Sequence, residues 1–363
     1  MKSVYLVLFV LLSQYSLAQN EKKSIDFESY NPPSSLVVPE HVLGRSKFPF
    51  IDVHNHQNNM STQNLGNLLA EMDKLNMKIM VNLSGRSGDY LASAVRNIQQ
   101  TDAKRLIVFA NVSFSGIGEA NWAENTVKQL ESDVKAGAQG LKIFKSLGFS
   151  VKDNKGNLVA VDDQRLDPIW AACGRLGIPV LIHSADPKQF WDEPNAQNER
   201  WLELLTQPGR KRSASDGFSW EELIKQQHNL IRRHSKTNFI IAHFGWYANN
   251  LAYLGTLLDS YPNMNIEFGA IIAELGRQPR MAKIFFEKYQ DRILFGKDSW
   301  VPSEYSTYFR VLETEDEYFP YHKKYHAYWK MYGIGLSDEV LKKVYYKNAI
   351  RIIPGIDKTQ FPD

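Results

Sequence analysis

The sequence predicts an α/β fold, a (β/α)8 barrel (TIM barrel) with long βα loops after its fifth and eighth strands. Eight short apolar segments are typical of buried strands, and helical patterns lie between them. This alternation favours a parallel sheet closed into a barrel. An open, doubly wound sheet is the alternative. However, such sheets usually carry a glycine-rich phosphate loop after the first strand, where this chain reads His54-Asn-His56-Gln-Asn-Asn.

The predicted elements follow one another along the chain. The strands are expected at residues 49–54, 78–83, 105–112, 140–144, 179–183, 238–242, 264–268 and 292–296. The clearest helical patterns are at residues 64–76, 121–136, 164–176, 219–234 and 278–290. The fourth of these begins with Ser219 and Glu222 at the spacing of a capping box, which indicates a helix start.

Two connections, residues 184–218 and 299–336, are long and rich in aromatic side chains. Both leave the carboxyl ends of strands, so we expect them to overhang the site, where their aromatic density suits a ring-shaped substrate. The same side chains would also serve to pack the loops onto the barrel, and both interpretations stay open. The candidate substrate-binding residues are Asn82 at the end of the second strand, Trp191, Trp246 and Trp300.

The first residues have the order of a secretory signal peptide. Lys2 precedes an apolar run at residues 4–12, and Ser16-Leu17-Ala18 supplies the small residues of a cleavage site. We therefore expect cleavage after Ala18 and an exported protein, periplasmic or secreted. The domain organisation expected from the sequence is a signal peptide at 1–18, an extended arm at 19–46, one catalytic domain at 47–356 and a tail at 357–363.

The charge and cysteine content limit the kinds of partner that we expect for the protein. The 363 residues carry a formal net charge of +3, which falls to +2 when the leader with its single lysine is removed, so no nucleic-acid or membrane partner is indicated. The leader's apolar run is too short to span a bilayer, and no lipid-anchor cysteine lies at the cleavage site. Cys173 stands alone, so no internal disulfide can form. The expected partner is a small-molecule substrate, and a homo-oligomer is compatible with the sequence.

Five predicted strands carry, at or near their ends, a side chain that can bind a metal ion, and one of these is Lys142 on the fourth strand. His54 and His56 are two residues apart, so on a strand they point the same way and can chelate one cation. His183, His243 and Asp298 are each the first such residue after a later apolar run. Because the carboxyl ends of barrel strands meet at one face, these side chains predict a metal site there. Asp298 could instead cap a helix.

Lys142 lies in the fourth predicted strand, where a buried ammonium is costly. It should therefore be paired, deprotonated or modified. A neutral Lys142 could react with carbon dioxide to give a carbamate whose two oxygens bridge two metal ions. A simple ion pair with Asp298 or Glu267 is the alternative.

The motifs Ile51-Asp-Val-His-Asn-His, Gly140-Leu-Lys-Ile, Val180-Leu-Ile-His-Ser-Ala-Asp, Ile240-Ile-Ala-His-Phe-Gly and Leu294-Phe-Gly-Lys-Asp resemble those of the amidohydrolase superfamily, in particular its amidohydrolase-related (amidohydrolase 2) branch. The similarity covers about residues 46–353. It implies a metal-dependent TIM-barrel enzyme.

The resemblance implies roles for the six residues. His54, His56 and Asp298 would bind the more buried metal ion, while His183 and His243 would bind a second ion or contact substrate and water. Lys142 would be the carbamate bridge. Members with this lysine tend to hold two metal ions, whereas many of this branch hold one zinc or manganese ion and some lactonases use none. Zinc is favoured, with one or two ions and with manganese as the alternative.

The implied reaction is hydrolysis of an ester, lactone or amide of a small ring-containing substrate. A metal ion lowers the pKa of its bound water, and Asp298 would take the proton, with His243 as a second catalytic candidate. Non-oxidative decarboxylation of an aromatic acid is the first alternative, for which Arg200, Arg277 or Arg280 would bind the substrate carboxylate. A metal-binding barrel without catalysis is the second, and the presence of Asp298 counts against it.

Overall fold

The structure is a computed structural model, and it describes residues 26, 30, 32–323 and 329–362. The predicted signal peptide lies outside the described residues, as does much of the predicted arm. The chain divides into two compact units, residues 1–38 and 39–363. In the first unit, the described residues are mostly exposed. The second unit contains every strand and helix discussed below.

The described residues form eight parallel strands, as the sequence predicted. Most are shorter than expected, and the third ends at Val108 although the apolar run continues to residue 112, since Ala110 keeps only an isolated bridge to Leu141. The strands are β1 (Phe50–Asn55), β2 (Met77–Asn82), β3 (Leu106–Val108), β4 (Leu141–Ile143), β5 (Val180–Ile182), β6 (Phe239–Ile241), β7 (Met264–Glu267) and β8 (Ile293–Leu294).

A helix follows each strand. The eight are α1 (Leu65–Leu75), α2 (Gly88–Thr101), α3 (Trp122–Lys135), α4 (Asp167–Leu176), α5 (Trp220–Arg233), α6 (Leu251–Ser260), α7 (Pro279–Lys288) and α8 (Tyr305–Glu313). The predicted capping box is confirmed, because Ser219 accepts from the backbone N–H of Glu222, and the Glu222 carboxylate accepts from the N–H of Ser219. Shorter helices are Ser146–Phe149, Trp201–Thr206, Ile272–Gly276, Asp338–Lys342 and Asn348–Ile352.

The strands form two sheets in sequential order, β1-β2-β3 and β4-β5-β6-β7-β8. At one seam, the parallel bridge between Ala110 and Leu141 joins the sheets. At the other seam, the backbone N–H of Val53 donates to the carbonyl of Phe295 at 2.9 Å, so β1 lies beside the end of β8. Parallel strands joined in a ring, with helices outside, give the predicted (β/α)8 architecture.

The register of the strands explains why their ends meet. Lys142, Leu181 and Ile240 are paired neighbours on β4, β5 and β6, and the residues before and after them pair in the same register. The paired residues are buried, so these strands are packed on both faces. The carboxyl ends of the strands therefore lie at one face of the barrel, which we call the mouth.

Long segments follow β5 and β8. The first holds the helix Trp201–Thr206 before α5 begins, and the second holds α8. Among the described residues, no helix is both long and apolar enough to cross a membrane. The predicted boundaries of the arm, the domain and the tail stay predictions.

Candidate metal centre

His54 and His56 reach the mouth from β1. The His54 ring is fully buried, and its Nδ1 lies 2.9 Å from a carboxylate oxygen of Glu267. That oxygen also accepts from the backbone N–H of His243, so it acts as an acceptor and Nδ1 of His54 carries the hydrogen. Nε2 of His54 is then left as a lone pair that faces the centre. Burial holds the pKa of His54 well below its usual range.

Asp298 faces both rings of this pair. Its Oδ1 lies 3.3 Å from Nε2 of His54 and 3.6 Å from Nε2 of His56. Nδ1 of His56 is held by the Ser84 hydroxyl at 2.8 Å, which fixes that ring. The three facing atoms lie within 4.8 Å of one another, a spacing that can surround one cation.

The pKa values of this group favour metal binding. Burial lowers the pKa of His56 to about 4, so its ring is neutral at neutral pH. Burial raises the pKa of Asp298, but the nearby His54, His243, His56 and Lys142 outweigh that effect and hold the pKa well below its usual range. Asp298 is therefore a carboxylate, and its side chain keeps 37% of its surface exposed at the mouth.

His183 and His243 form a second pair of donors beside the first. Nδ1 of His243 lies 2.6 Å from the carbonyl oxygen of Gly269, which can only accept, so that nitrogen carries the hydrogen. Nε2 of His243 is left facing Nδ1 of His183 at 3.4 Å. The two rings meet edge to face with centroids 4.4 Å apart.

Lys142 lies between the two groups. It is 1% exposed, and its Nζ lies 3.5 Å from Nε2 of His54, the nitrogen that faces Asp298. Burial lowers the pKa of Lys142 to about 8, against the opposing effect of Asp298 and Glu267. The alternative of an ion pair with Asp298 or Glu267 is not a direct contact here, since Nζ lies beside Nε2 of His54 and forms no ion pair among the described residues.

Asp52 holds β1 to the segment that carries Asp298. Its carboxylate accepts from the backbone N–H groups of His54 and Lys297 at 3.0 and 3.1 Å, and from the Tyr305 hydroxyl at 2.6 Å. Burial raises the pKa of Asp52 to about 6 despite these donors. The backbone N–H of Asp298 then donates to the carbonyl of His54 at 2.6 Å. This network sets the distance between the two residues.

Two of these residues have strained backbones. His243 has a φ of 57° and Asp298 a φ of 82°, both in the left-handed region that most side chains avoid. Phe244, Gly245 and Trp246 also have positive φ, so the chain turns sharply after β6. Conformations of this kind persist where packing over-determines them, and they cluster at functional sites.

The side chains fit a divalent metal ion. Imidazole nitrogens and a carboxylate oxygen are the donors that zinc and manganese accept, and here they converge with their hydrogens turned away from the centre. Nε2 of His183 is buried and has no hydrogen-bond partner among the described residues. Nδ1 of His183 and Nε2 of His243 face each other as two acceptors, which a bound cation would satisfy. The hydrogen of His183 is then on Nε2, where an acceptor on a substrate or a water molecule would satisfy it.

Glu267 belongs to the metal centre, although the sequence did not identify it as a site residue. It orients His54 through Nδ1, and its other oxygen accepts from the backbone N–H of Gly269 at 2.6 Å. The signal was available, because an acidic side chain inside the apolar run of β7 must be paired when it is buried. Burial raises the pKa of Glu267.

The three candidate tryptophans have different positions. Trp246 stacks on the His243 ring with ring centroids 4.6 Å apart, and its Nε1 donates to the carbonyl of Ser184. It therefore forms one side of the space around the second donor pair. Trp300 packs edge to face on Tyr305. Trp191 stacks on Phe149, in the loop that follows β4.

Asn82 is placed differently from the expectation. Its side chain is fully buried, and its oxygen accepts from the backbone N–H groups of Gln57 and Ser84 at 2.9 and 3.0 Å. Its NH2 group donates to the carbonyl of Gln57. The amide therefore ties the loop after β1 to the loop after β2 and has no free group for a substrate. An amide at a strand end can serve either role, so the sequence could not distinguish them.

Comparison with known proteins identifies the relatives of this arrangement. The sequence profile of the amidohydrolase family matches residues 51–355. A search of the curated proteins finds no match.

Solved structures with the same fold include enzymes of two reaction types. A 2,6-dihydroxybenzoate decarboxylase in complex with 2,6-dihydroxybenzoate has a TM-score of 0.51 at 13% identity, covering 84% of this chain and 99% of that one. A manganese-bound dihydroxybenzoic acid decarboxylase from Polaromonas sp. JS666 has a TM-score of 0.50 at 13% identity, covering 84% and 96%. The 4-oxalomesaconate hydratase from Rhodopseudomonas palustris has a TM-score of 0.51 at 14% identity, covering 84% and 95%. Identities this low show the fold alone.

Proposed function

The chain belongs to the amidohydrolase family of metal-dependent enzymes, and from that premise we propose that it is a hydrolase that opens an ester, lactone or amide bond of a small ring-containing molecule. Water activated at the metal centre would be the nucleophile. Zinc is the proposed metal, and manganese is the alternative. Membership in an enzyme family counts against the reading of a barrel that only binds a ligand.

One observation carries the proposal, namely the two donor groups on either side of Lys142. His54, His56 and Asp298 would hold one metal ion. His183 and His243 would hold a second, since both present a ring nitrogen to the same space. Two metal ions held by these residues would supply an activated water and a polarised bond, which suits hydrolysis.

The position of Lys142 supports a modified side chain. Its Nζ approaches the same nitrogen of His54 that a metal ion would take. An ammonium and a metal ion cannot share that position because both are cations. With metal present, Lys142 must be neutral or carbamylated, and a carbamate would add two oxygen donors between the two groups.

Asp298 is the proposed general base. A metal ion in this centre would acidify a water molecule and polarise the carbonyl group of the substrate. Asp298 is ionised and partly exposed, so it can take a proton from water and return it to the leaving group. Two hydrogen bonds hold the segment that carries Asp298 beside His54. The backbone N–H of Lys297 donates to Asp52, and the backbone N–H of Asp298 donates to the carbonyl of His54.

Decarboxylation of an aromatic acid is the second candidate, because two solved structures of this fold are decarboxylases. It would need a cation for the substrate carboxylate. Arg200 is buried and already bonded to Glu203 and Glu274, while Arg277 is paired with Glu199. Both guanidiniums are engaged in these ion pairs, while Arg280 lies at the start of α7. Hydrolysis is the better-supported reaction because of the two donor groups around Lys142.

We also propose that the enzyme acts outside the cytoplasm, as the leader at residues 1–18 indicates. An exported enzyme would act on scavenged material, which suits hydrolysis of an ester, lactone or amide. Cell fractionation with N-terminal sequencing tests this, and a mature chain that begins at Gln19 is the expected result.

The test of the proposed reaction uses purified, zinc-supplied enzyme against ester, lactone, amide and aromatic-acid panels. Turnover in the first three panels supports hydrolysis, whereas release of carbon dioxide from aromatic acids would overturn it. Asp298→Asn should fold normally and lose turnover. Asp259→Asn, which changes an exposed aspartate on α6, is the matched control and should keep the full rate. Near-normal rates in Asp298→Asn would remove that residue from the mechanism.

A further inference from the structure

A cleft of about 400 Å³ lies beside the metal centre and has no role in the reaction described above. The loop after β4 forms one side of it and the long connection after β5 forms the other. The lining residues are Lys145, Ser146, Phe149, Ser150, Trp191, Lys211, Arg212, Ser213, Gly217 and Phe218.

The cleft opens at the same end of the barrel as the metal centre. Lys145 is three residues beyond Lys142, so their Cα atoms are at most about 11 Å apart. Phe144 connects the two regions, because its ring lies 5.6 Å from the His56 ring and 37% of its surface is exposed. A substrate whose reacting bond lies at the metal centre can therefore extend into the cleft.

The cleft has an excess of positive charge. Lys145 and Arg212 share a single carboxylate, that of Asp186, at 2.5 and 2.8 Å. Lys211 donates to the backbone carbonyl of Asp192 at 2.6 Å, a neutral acceptor that does not offset the charge of the lysine. The lining side chains that the structure describes include three cations and no carboxylate.

An aromatic surface accompanies the cations. Phe149 and Trp191 are stacked, with centroids 5.9 Å apart and planes 27° apart, and the Arg212 guanidinium lies 4.8 Å from the Phe149 ring centre. Nε1 of Trp191 is buried and has no hydrogen-bond partner among the described residues. An indole N–H of this kind normally finds an acceptor when it is buried.

We propose that this cleft is a subsite for a ring that bears an anionic group, such as a carboxylate or a sulfate. The ring would pack against Phe149 and Trp191, and the anion would bind Arg212 with Lys145 and Lys211. The proposal rests on the proposed function in one respect, since it assigns the ring to the part of the substrate remote from the bond that is hydrolysed.

A purely structural role for these cations makes a different prediction. Arg212 and Lys145 could serve only to neutralise Asp186, which is buried at the base of the loop. In that case their removal would lower stability and leave the affinity for anions unchanged. The test must therefore measure binding separately from stability and turnover.

The probe is benzenesulfonate, a ring with one negative charge and weak affinity for metal ions, and methyl phenyl sulfone is its uncharged counterpart. Binding of each to the zinc-loaded protein is measured by calorimetry at low and high salt. We expect benzenesulfonate to bind roughly tenfold more tightly than the sulfone, with the difference reduced at high salt. Equal affinities would overturn the proposal.

Substitutions of the cleft cations show which residues bind the anion. Arg212→Met should remove most of the preference for the anion, and Arg212→Lys should restore part of it because it keeps the charge. Arg96→Met, which removes an exposed guanidinium on α2, is the matched control and should change nothing. If Arg212→Met does not fold, Lys145→Met and Lys211→Met carry the same test. An unchanged preference in folded variants at these positions contradicts the proposal.

This experiment separates the two claims. Anion binding that depends on Arg212 supports the subsite even when every hydrolysis panel is negative, which would count against the proposed reaction alone. Where a substrate is found, Arg212→Met should raise KM for ring-anion substrates and leave kcat and neutral substrates nearly unchanged. A loss of kcat for both kinds of substrate would contradict the subsite.

Discussion

Glu267 sets the orientation of the His54 ring. Its carboxylate oxygen lies 2.9 Å from Nδ1 of His54 and accepts a hydrogen bond from it, so Nε2 of the ring faces Asp298. The same oxygen accepts from the backbone N–H of His243, the second residue after β6. One buried side chain on β7 therefore positions a donor of each group. Carboxylates behind metal-binding histidines commonly have this role, because they set both the tautomer and the ring orientation.

Replacing Glu267 with glutamine should weaken metal binding by roughly 10- to 100-fold while the barrel still folds. A glutamine NH2 group would face either the N–H of Gly269 or the hydrogen of His54, and neither is an acceptor. Competition with a chromogenic chelator measures the affinity. Glu313→Gln changes a half-buried glutamate bonded to Tyr345 and serves as the control. Equal affinity in both variants would show that Glu267 does not orient the ring.

Gly296→Ala should disturb the metal centre, because Gly296 lies against Glu267 and His54. A Cβ at this position would lie 2.2 Å from a carboxylate oxygen of Glu267 and 3.0 Å from Cβ of His54, so one of them must move. We expect a loss of metal and a decrease of about 1–3 kcal/mol in the free energy of unfolding, measured by denaturant titration. Gly44→Ala, where nothing lies within 4 Å, should be neutral. A stable, fully metallated Gly296→Ala enzyme would contradict the packing described here.

Lys142→Ala tests the carbamate. The variant should lose activity and regain part of it when a short-chain carboxylic acid is supplied with zinc, because the acid can occupy the space of the carbamate and bridge the donors. Asp298→Asn under the same additions should stay inactive, since its defect is the missing base. Initial rates across a concentration series of the acid give the measurement. A fully active Lys142→Ala enzyme would mean that no carbamate is needed.

His228 on α5 should make the protein less stable in mild acid. It packs against Tyr247 and Tyr261, and burial lowers its pKa to about 4, below its ordinary value of 6.5. The unfolded chain therefore binds a proton before the folded chain does. The free energy of unfolding should fall as pH drops from about 6.5 to 4, by roughly 3 kcal/mol at most from this residue.

Urea titrations at several pH values compare the wild type with His228→Phe. The variant should lose less stability over that pH range, because the ring no longer titrates and Nε2 of His228 has no hydrogen-bond partner among the described residues. Identical pH dependence in the two proteins would assign the acid sensitivity to other histidines.

The sequence predicted the barrel because its signals are local. Each strand is a short apolar run that is buried on both faces, and such runs can be read without the rest of the chain. The strand lengths could not be read in the same way. The run that begins at Leu106 continues to residue 112, but regular pairing ends at Val108 and leaves only an isolated bridge at Ala110. Pairing depends on strands that are far away in sequence.

The sequence suggested candidate ligands where a histidine follows an apolar run, as His183 and His243 do, and the structure brings these two side chains together. Glu267 and Asp52, which position the candidate ligands, could not be identified in this way. Their roles depend on the residues that they contact across the barrel. The left-handed turn at His243 was also hidden, since these side chains disfavour that conformation and only packing enforces it. Asn82 shows the reverse case, in which a polar residue at a strand end has a structural role.

Metal content per chain shows whether the two donor groups at the mouth hold metal ions. The protein is purified without chelator, supplied with zinc, dialysed and analysed by plasma mass spectrometry together with His54→Ala. The two donor groups around Lys142 predict about two equivalents of zinc in the wild type and a clear loss in the variant. A wild type that binds none, or a His54→Ala protein that keeps full occupancy, would contradict the account.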